Sequence, residues 1–340
     1  MSSGAPPLLE LRGIVKNFSK KLDLAERLAA KLGAPLAEQT VHAVDRVDLT
    51  VAKGEVVGLV GESGCGKSTL GRIVAGIMEP TKGQVLWEGT DTVTMTAEQA
   101  RAAKLKVQMI FQDPYASLNP RMKVRDIIGE APSVHGMVQG DLDTYVGQQM
   151  RRAGLDPVFM RRYPHQFSGG QRQRIGIARA LAVHPEFIVC DEAVAALDVS
   201  IQAQVLNLFM QLRAELGLTY LFISHDLGVV EHLSDRVAIM YLGRIVEQAP
   251  TEEIFARANH PYTQALLSEV PRIESRKRRF HSVKGEIPSP LNPPPGCHFH
   301  PRCPHAMPVC RERQPTLREI APGHISACHL NDAGVTAAAA

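Results

Sequence analysis

The sequence lacks long apolar runs and a dominant charge, and each absence excludes a class of protein. Nowhere do its 340 residues approach the roughly 18–20 consecutive apolar positions a membrane-spanning helix needs, so the chain is not expected to cross a bilayer by itself. Met1 to Glu10 carry neither a basic flank nor an apolar h-region, so no secretory signal is expected and a cytosolic location follows. Thirty-eight Lys and Arg against 35 Asp and Glu leave a net charge of +3, too even for bulk attraction to nucleic acid. An apolar fraction of 44% with 21% charged residues excludes disordered, collagenous and low-complexity chains. The one dense basic run, Arg276-Lys277-Arg278-Arg279, reads as a solvated linker face.

The length exceeds what one hydrophobic core usually serves, which predicts a main domain with an annex. Composition places the annex at the C-terminal end. Four of the six cysteines (Cys297, Cys303, Cys310 and Cys328) and ten of the 23 prolines lie beyond residue 284. A separate segment is therefore expected to open near Ser275–Gly285. In a cytosolic chain such clustered cysteines suggest a metal or redox site before disulfides.

Chemistry is clearest at Gly61-Glu62-Ser63-Gly64-Cys65-Gly66-Lys67-Ser68-Thr69. Before it, Val56-Val57-Gly58-Leu59-Val60 is short and β-branched, as a buried strand is; after it, Leu70, Ile73, Val74 and Ile77 recur at helical spacing. Strand, glycine loop and helix form the context in which GxxxxGK[ST] cradles a nucleotide. The glycines let backbone N–H groups turn inward around an anion, Lys67 reaches the β- and γ-phosphates, and Ser68 offers a hydroxyl to Mg²⁺. Cys65 occupies a variable loop position and is assigned no chemistry of its own.

An acidic element must hold the metal and the attacking water. Phe187-Ile188-Val189-Cys190-Asp191-Glu192 provides an apolar strand ending in two carboxylates. If the chain turns there, Asp191 supports Mg²⁺ while Glu192 orients and polarises water for in-line attack on the γ-phosphate.

Between these elements stands Ser168-Gly169-Gly170-Gln171, a serine N-cap followed by a permissive glycine pair. With its flanks it resembles the signature of the ATP-binding cassette (ABC) ATPases. The resemblance implies that the helix opened by Ser168–Gln171 aims its N–H groups at the γ-phosphate held by another subunit. It implies further that Gln112 touches Mg²⁺ and senses a transporter partner, that Asp198 of Ala196-Leu197-Asp198 lies at the dimer seam, and that His225 hydrogen-bonds the γ-phosphate. For the adenine-stacking aromatic it points to Phe18, with His42 as the alternative, beside a helix-patterned insertion at residues 19–40 carrying Leu24, Leu28 and Leu32. The implied fold is α/β: a RecA-like core around a mostly parallel sheet, an antiparallel β layer near the N-terminus, and a helical subdomain over about 116–162. The cassette is expected to span 1–274, and a Cys/Pro-rich extension with a disordered tail 275–340.

The stretch from Lys67 to Ser168 holds no sustained heptads, there is one cassette, and no membrane span is fused to it. Those features set aside the coiled-coil, tandem and half-transporter branches of the family and leave a free-standing cassette that drives a separate permease. Ile110–Arg121, Ile188–Ile201, His260–Leu266 and Gly285–Pro304 resemble the ATP-binding subunits of bacterial oligopeptide and dipeptide importers. Nickel, glutathione, murein peptides and some sugars are carried by relatives, so the cargo stays open, and a cassette remodelling nucleic acid or ribosomes is the distant alternative. The partners implied are two membrane permease subunits, a second ABC ATPase, and a substrate-binding protein reached through the permease, at the cytoplasmic face of the bacterial inner membrane, with no nucleic acid. The chain departs from the family's PVSALD after the carboxylates, having Ala193-Val194-Ala195-Ala196-Leu197-Asp198. A missing proline and hydroxyl predict reduced rigidity rather than lost hydrolysis.

The C-x5-C-x6-C-x17-C spacing of Cys297, Cys303, Cys310 and Cys328 has no close C-x2-C pair. Four thiolates suit a [4Fe–4S] cluster or a tetrahedral zinc, and His298, His300, His305 and His329 are further donors nearby. The importer resemblance implies the [4Fe–4S] cluster, as a structural pin of the extension; zinc or free cysteines are the alternatives.

Overall fold

A computed structural model describes residues 6–20, 39–269 and 285–332. Its main sheet has eight strands in the order β11-β12-β10-β9-β3-β8-β7-β6. In chain order these are β3 (Val56–Val60), β6 (Val107–Ile110), β7 (Phe187–Asp191), β8 (Thr219–Ser224), β9 (Arg236–Tyr241), β10 (Arg244–Pro250), β11 (Arg318–Ala321) and β12 (His324–Ser326). β3, β6, β7, β8 and β9 run parallel, whereas β10, β11 and β12 pair antiparallel at one side. The parallel strands are covered on both faces and so read as nearly continuous apolar runs; every residue of β3, β7 and β8 is buried.

A second, antiparallel sheet of four strands, ordered β2-β1-β4-β5, is built from β1 (Leu9–Lys20), β2 (Gln39–Val51), β4 (Lys82–Trp87) and β5 (Thr90–Asp91). The insertion expected to be helix-patterned over 19–40 is strand at both of its described ends. Ser19 pairs with Thr40 and Lys20 with Gln39, extending the β1–β2 ladder, while 21–38 fall outside the described residues. Arg276–Arg279 and the tail from 333 also lie outside them.

Three apolar clusters hold these layers. One packs helices Gly169–Leu181 and Val199–Leu216 on the main sheet together with helices Val124–Val134 and Leu142–Arg152. The second lies between the two sheets around helix Lys67–Val74, with Leu70 and Ile73 buried against Leu59, Val189 and Ile223. The third joins β9 and β10 to the C-terminal part of the chain, where Tyr241, Tyr262 and Phe299 meet with ring centroids 4.6–5.4 Å apart. Residues 285–332 are thus built into the cassette: β12 extends the main sheet through Glu247↔Ser326 and Gln248↔Ile325.

That junction rests on one carboxylate. Glu247, fully buried, accepts hydrogen bonds from the Asn259 N–H (2.6 Å) and the His260 N–H (3.0 Å) and lies 2.7 Å from His324 Nε2. The cluster ties β10, the start of helix Pro261–Ser268 and β12 together. His260 caps that helix, its Nδ1 accepting from the Tyr262 N–H at 3.1 Å, and burial pushes its pKa down to about 4.

Candidate active site

Register brings the site together. Val60 pairs with Ser224, Ile223 with Asp191, and Cys190 with Ile110, so β3, β8, β7 and β6 end side by side. The residues that leave these strand ends are the phosphate loop, His225, Glu192 and, two positions past Ile110, Gln112. The carboxyl edge of a parallel sheet is where α/β proteins place ligands.

The loop from Gly61 to Gly66 wraps the N-terminus of helix Lys67–Val74. At Gly66, φ is +107°, and a Cβ there would lie 2.1 Å from the carbonyl oxygen of Ala43; nothing larger than glycine fits. Ser63 and Gly64 are exposed at the loop's tip, while Cys65 is buried beneath it and its thiol is pushed up by that burial. Lys67, also buried, donates from Nζ to the carbonyls of Gly61 (2.7 Å) and Glu62 (3.0 Å). Its ammonium therefore sits inside the curl of the loop.

Ser68 Oγ donates to Asp191 Oδ1 at 2.7 Å. Asp191 is buried, which raises its carboxyl above the usual range, and the Ser68 hydroxyl partly offsets this. A hydroxyl and a carboxylate held together at a buried strand end form an oxygen donor pair suited to Mg²⁺. At Glu192 the chain turns as the strand-end argument requires: φ is +49°, unusual for a side chain of this size, and its N–H donates to Ile223 O at 3.0 Å. The reversal turns the Glu192 carboxylate toward Gln112 and His225. Gln112 Nε2 donates to Glu192 Oε2 at 2.7 Å, and His225 Nδ1 stands 3.5 Å from the same oxygen. Ala193 and Val194 pack into the core behind this turn.

Ser168 and Gln171 form a reciprocal capping box. The Gln171 N–H donates to Ser168 Oγ at 3.3 Å and the Ser168 N–H to Gln171 Oε1 at 3.0 Å. A Cβ on Gly170 would meet Ile201 Cγ2 at 2.5 Å, so glycine there admits the neighbouring helix Val199–Leu216. Ser168, Gln171, Asp198 and Val199 are exposed. The signature residues are not among the groups bonded to the chain's own phosphate loop. They face outward.

Phe18 and His42 stand on neighbouring rungs of the β1–β2 ladder, in the pairs Phe18↔Val41 and Asn17↔His42. Phe18 is 41% exposed, with Lys16 Nζ 5.3 Å from its ring centroid, and the His42 N–H donates to Pro290 O. Both aromatics remain open as base-stacking surfaces.

The sequence pointed to Glu62 as a nucleotide contact, but its polar groups turn elsewhere. Its N–H donates to the Tyr262 hydroxyl at 2.9 Å, and its carboxylate takes a two-pronged bond from Arg302 at 2.7 and 2.9 Å. Arg302 comes from the C-terminal segment, its side chain 5% exposed, and the bonds to Glu62 raise its pKa. Sequence reading missed both partners: Tyr262 and Arg302 lie inside His260–Leu266 and Gly285–Pro304, stretches that marked kinship without disclosing a role.

Cys297, Cys303, Cys310 and Cys328 share one neighbourhood, with the Cys297 N–H donating to Cys310 O at 2.8 Å. All four are free thiols. Burial raises Cys297, lifts Cys303 to about 11 and Cys328 to about 12, and the nearby thiols add to the rise. Among the described residues no three His, Cys, Asp or Glu side chains come together to hold a metal ion. Of the histidines named as further donors, His298 and His300 engage the carbonyls of Leu242 and Cys297 through Nδ1, and His329 uses both ring nitrogens, on Asp332 and Arg313 O. The expected [4Fe–4S] cluster, and zinc in its place, therefore finds no support in this geometry.

Comparison with known proteins agrees with the geometry at the nucleotide loop. Residues 44–195 match the family model described as ABC transporter, and residues 246–310 match that of the oligopeptide/dipeptide transporter C-terminal region. The chain is 52% identical over 328 residues to the oligopeptide transport ATP-binding protein AppF of Bacillus subtilis, covering 95% of this chain and 97% of that one. It is 48% identical over 324 residues to a putative peptide import ATP-binding protein of Brucella ovis, again covering 95% and 97%. The chain belongs to the ABC transporter ATP-binding proteins. Solved cassettes share the ABC fold: a dimeric ATP-binding cassette in a post-hydrolysis state with ADP and Pi (TM-score 0.60, 25% identity, covering 72% of this chain and 98% of that one), and cbiO1 of Clostridium perfringens (TM-score 0.60, 23% identity, 74% and 92%). The second family match begins inside β10, so in this ABC protein the C-terminal match includes the sheet strand on which the extension is built.

Proposed function

We propose that this chain binds and hydrolyses ATP to drive a bacterial ABC importer of oligopeptides or dipeptides. One observation carries the reading: the glycine-cradled loop, the Ser68–Asp191 pair and the Gln112–Glu192–His225 cluster meet at one sheet edge. The cargo class rests on the peptide-transport relatives.

Lys67 and the loop amides of Gly61–Thr69, apart from that of Glu62, bind the phosphates. Ser68, Gln112 and Asp191 would hold Mg²⁺, which supplies charge neutralisation at the β- and γ-oxygens. Glu192 accepts a proton from the attacking water, with Gln112 and His225 fixing the carboxylate's direction. His225, hydrogen-bonded to the γ-phosphate, reports whether that group is present. Phe18, or His42, stacks on the base. Closing the site needs a second ATPase, whose Ser168-Gly169-Gly170-Gln171 and Asp198 equivalents face the γ-phosphate across the seam. In this reading the cassette spans 1–274 with a helical unit at about 116–162, and 275–340 form the C-terminal extension. Two permease subunits, served by a substrate-binding protein, hold the complex at the inner membrane's cytoplasmic face, and nucleic acid is no partner. No step runs through an iron–sulfur cluster or zinc.

The test is to isolate the chain from gently solubilised membranes and identify its companions by mass spectrometry. Two permease subunits and a second ATPase, with peptide on the associated binding protein, are the expected result. Ribosomal or DNA-bound companions would contradict it; a metal chelate or sugar on the binding protein would overturn the peptide cargo.

A further inference from the structure

The best-formed ion pair at the phosphate loop comes from outside the nucleotide-binding motif. Arg302 lies 240 residues from Glu62 in sequence, yet Nη1 and Nη2 each donate to a different oxygen of its carboxylate, at 2.7 and 2.9 Å. The fork is nearly covered: the Arg302 side chain is 5% exposed and that of Glu62 23%. Nη1 also reaches the Tyr241 hydroxyl at 3.5 Å. The guanidinium approaches within 5.8 Å of the Tyr241 ring centroid and 6.0 Å of that of Phe299. Beside it the Tyr262 hydroxyl accepts the Glu62 N–H, so backbone and side chain of one loop residue are both fixed by the C-terminal half of the chain. The loop is held on its other side by Gly243, whose N–H donates to Cys65 O at 2.8 Å.

Glu62 is a carboxylate in a loop meant to hold a triphosphate. Unpaired, it repels the ligand and is free to swing the loop. Paired in a bidentate, poorly hydrated fork, it is neutralised and its backbone is fixed. We infer that Arg302 is a positioning residue of the ATP site: from the C-terminal extension it fixes and neutralises Glu62, so that the phosphate loop is held ready for ATP. This rests on the nucleotide reading above and adds to it that the extension is a working part of the ATP site. Arg302 touches no reacting atom. It therefore acts on ATP affinity and leaves the chemical step alone.

The test measures ATP affinity by displacement of a fluorescent ATP analogue from the full-length chain, alongside KM and kcat for Mg-ATP. Arg302→Ala should weaken ATP about tenfold, as loss of a charge-assisted pair next to the ligand does, with kcat at saturating ATP nearly unchanged. Arg302→Lys keeps the charge without the fork and should fall between the two. The deciding variant is Glu62→Gln with Arg302→Ala. Removing the stranded carboxylate should return affinity to near that of Glu62→Gln alone, whereas mere undocking of the extension would not be rescued. Arg313→Ala cuts a different, surface pair of the extension, to Asp332, and should leave affinity untouched. ATP binding that Arg302→Ala does not weaken, or a double variant as weak as Arg302→Ala, would overturn the inference while leaving the nucleotide reading standing. A wild-type chain without affinity for ATP would overturn both.

Discussion

Glu192 shows how much chemistry one backbone angle can decide. Strand alternation alone would send Asp191 and Glu192 to opposite faces. A left-handed φ at Glu192 turns the second carboxylate toward Gln112 and His225 while the first stays buried against Ser68. Replacing Glu192 with Gln keeps the volume and removes the base. Turnover should drop by roughly 10²–10⁴-fold, the usual worth of a positioned general base, while ATP still binds and holds the closed dimer. Unchanged phosphate release by Glu192→Gln would remove this residue from the mechanism. A backbone demand of the same kind makes Gly66→Ala severe. Its Cβ would strike the Ala43 carbonyl, which cannot give way without disturbing β2, and φ of +107° is closed to alanine. The variant should lose ATP binding and melt at lower temperature than the wild-type chain, as calorimetry with and without nucleotide would register.

Among the elements, the parallel strands and the loops leaving them were legible from sequence because they obey local rules. A fully buried strand is apolar along its length, a phosphate loop needs its glycines, and a capping box spells itself out in Ser168 and Gln171. The neighbours of those loops were not legible. Nothing in the spacing of Glu62, Tyr262 and Arg302 says that they touch, since the contact is made by tertiary docking of β10, helix Pro261–Ser268 and the segment around Phe299. The β1–β2 ladder takes in Ser19, Lys20, Gln39 and Thr40, which the leucine spacing between them does not address. The cysteines show a related limit: they are clustered in sequence and share one neighbourhood, yet spacing cannot say whether four thiols converge on one point. The helix cap at His260 gives this level its own prediction. Its folded pKa of about 4 lies below the ordinary 6.5, so the unfolded chain takes up a proton first as pH falls. The stabilisation is complete above about pH 6.5 and is lost progressively down to about pH 4, amounting to roughly 3 kcal/mol at full extent. His260→Asn, which retains a capping oxygen without a titrating ring, should flatten that part of the Tm–pH curve; a parallel curve would show that His260 does not carry the dependence.

For the whole molecule, the arrangement is half of a machine. The phosphate loop, the Ser68–Asp191 pair and the Gln112–Glu192–His225 cluster are gathered at one edge, whereas Ser168 and Gln171 of the signature are exposed and bonded to none of them. In the proposed reading such a site is completed by a second subunit. Ser168→Ala breaks the capping box and should leave ATP binding by the isolated chain intact while weakening ATP-dependent association and turnover; sedimentation with and without ATP would check this. The C-terminal extension, joined through Glu247, the aromatic trio and Arg302, makes the second half of the chain part of the first half's loop. The central claim is that ATP hydrolysis at this site drives peptide import. Its most direct test is ATP-dependent uptake of a labelled oligopeptide by inside-out-resistant, right-side-out membrane vesicles loaded with ATP, prepared from cells carrying either the wild-type chain or Glu192→Gln as the sole copy. The account predicts uptake with the wild-type chain and none with Glu192→Gln; equal uptake by the two would contradict it.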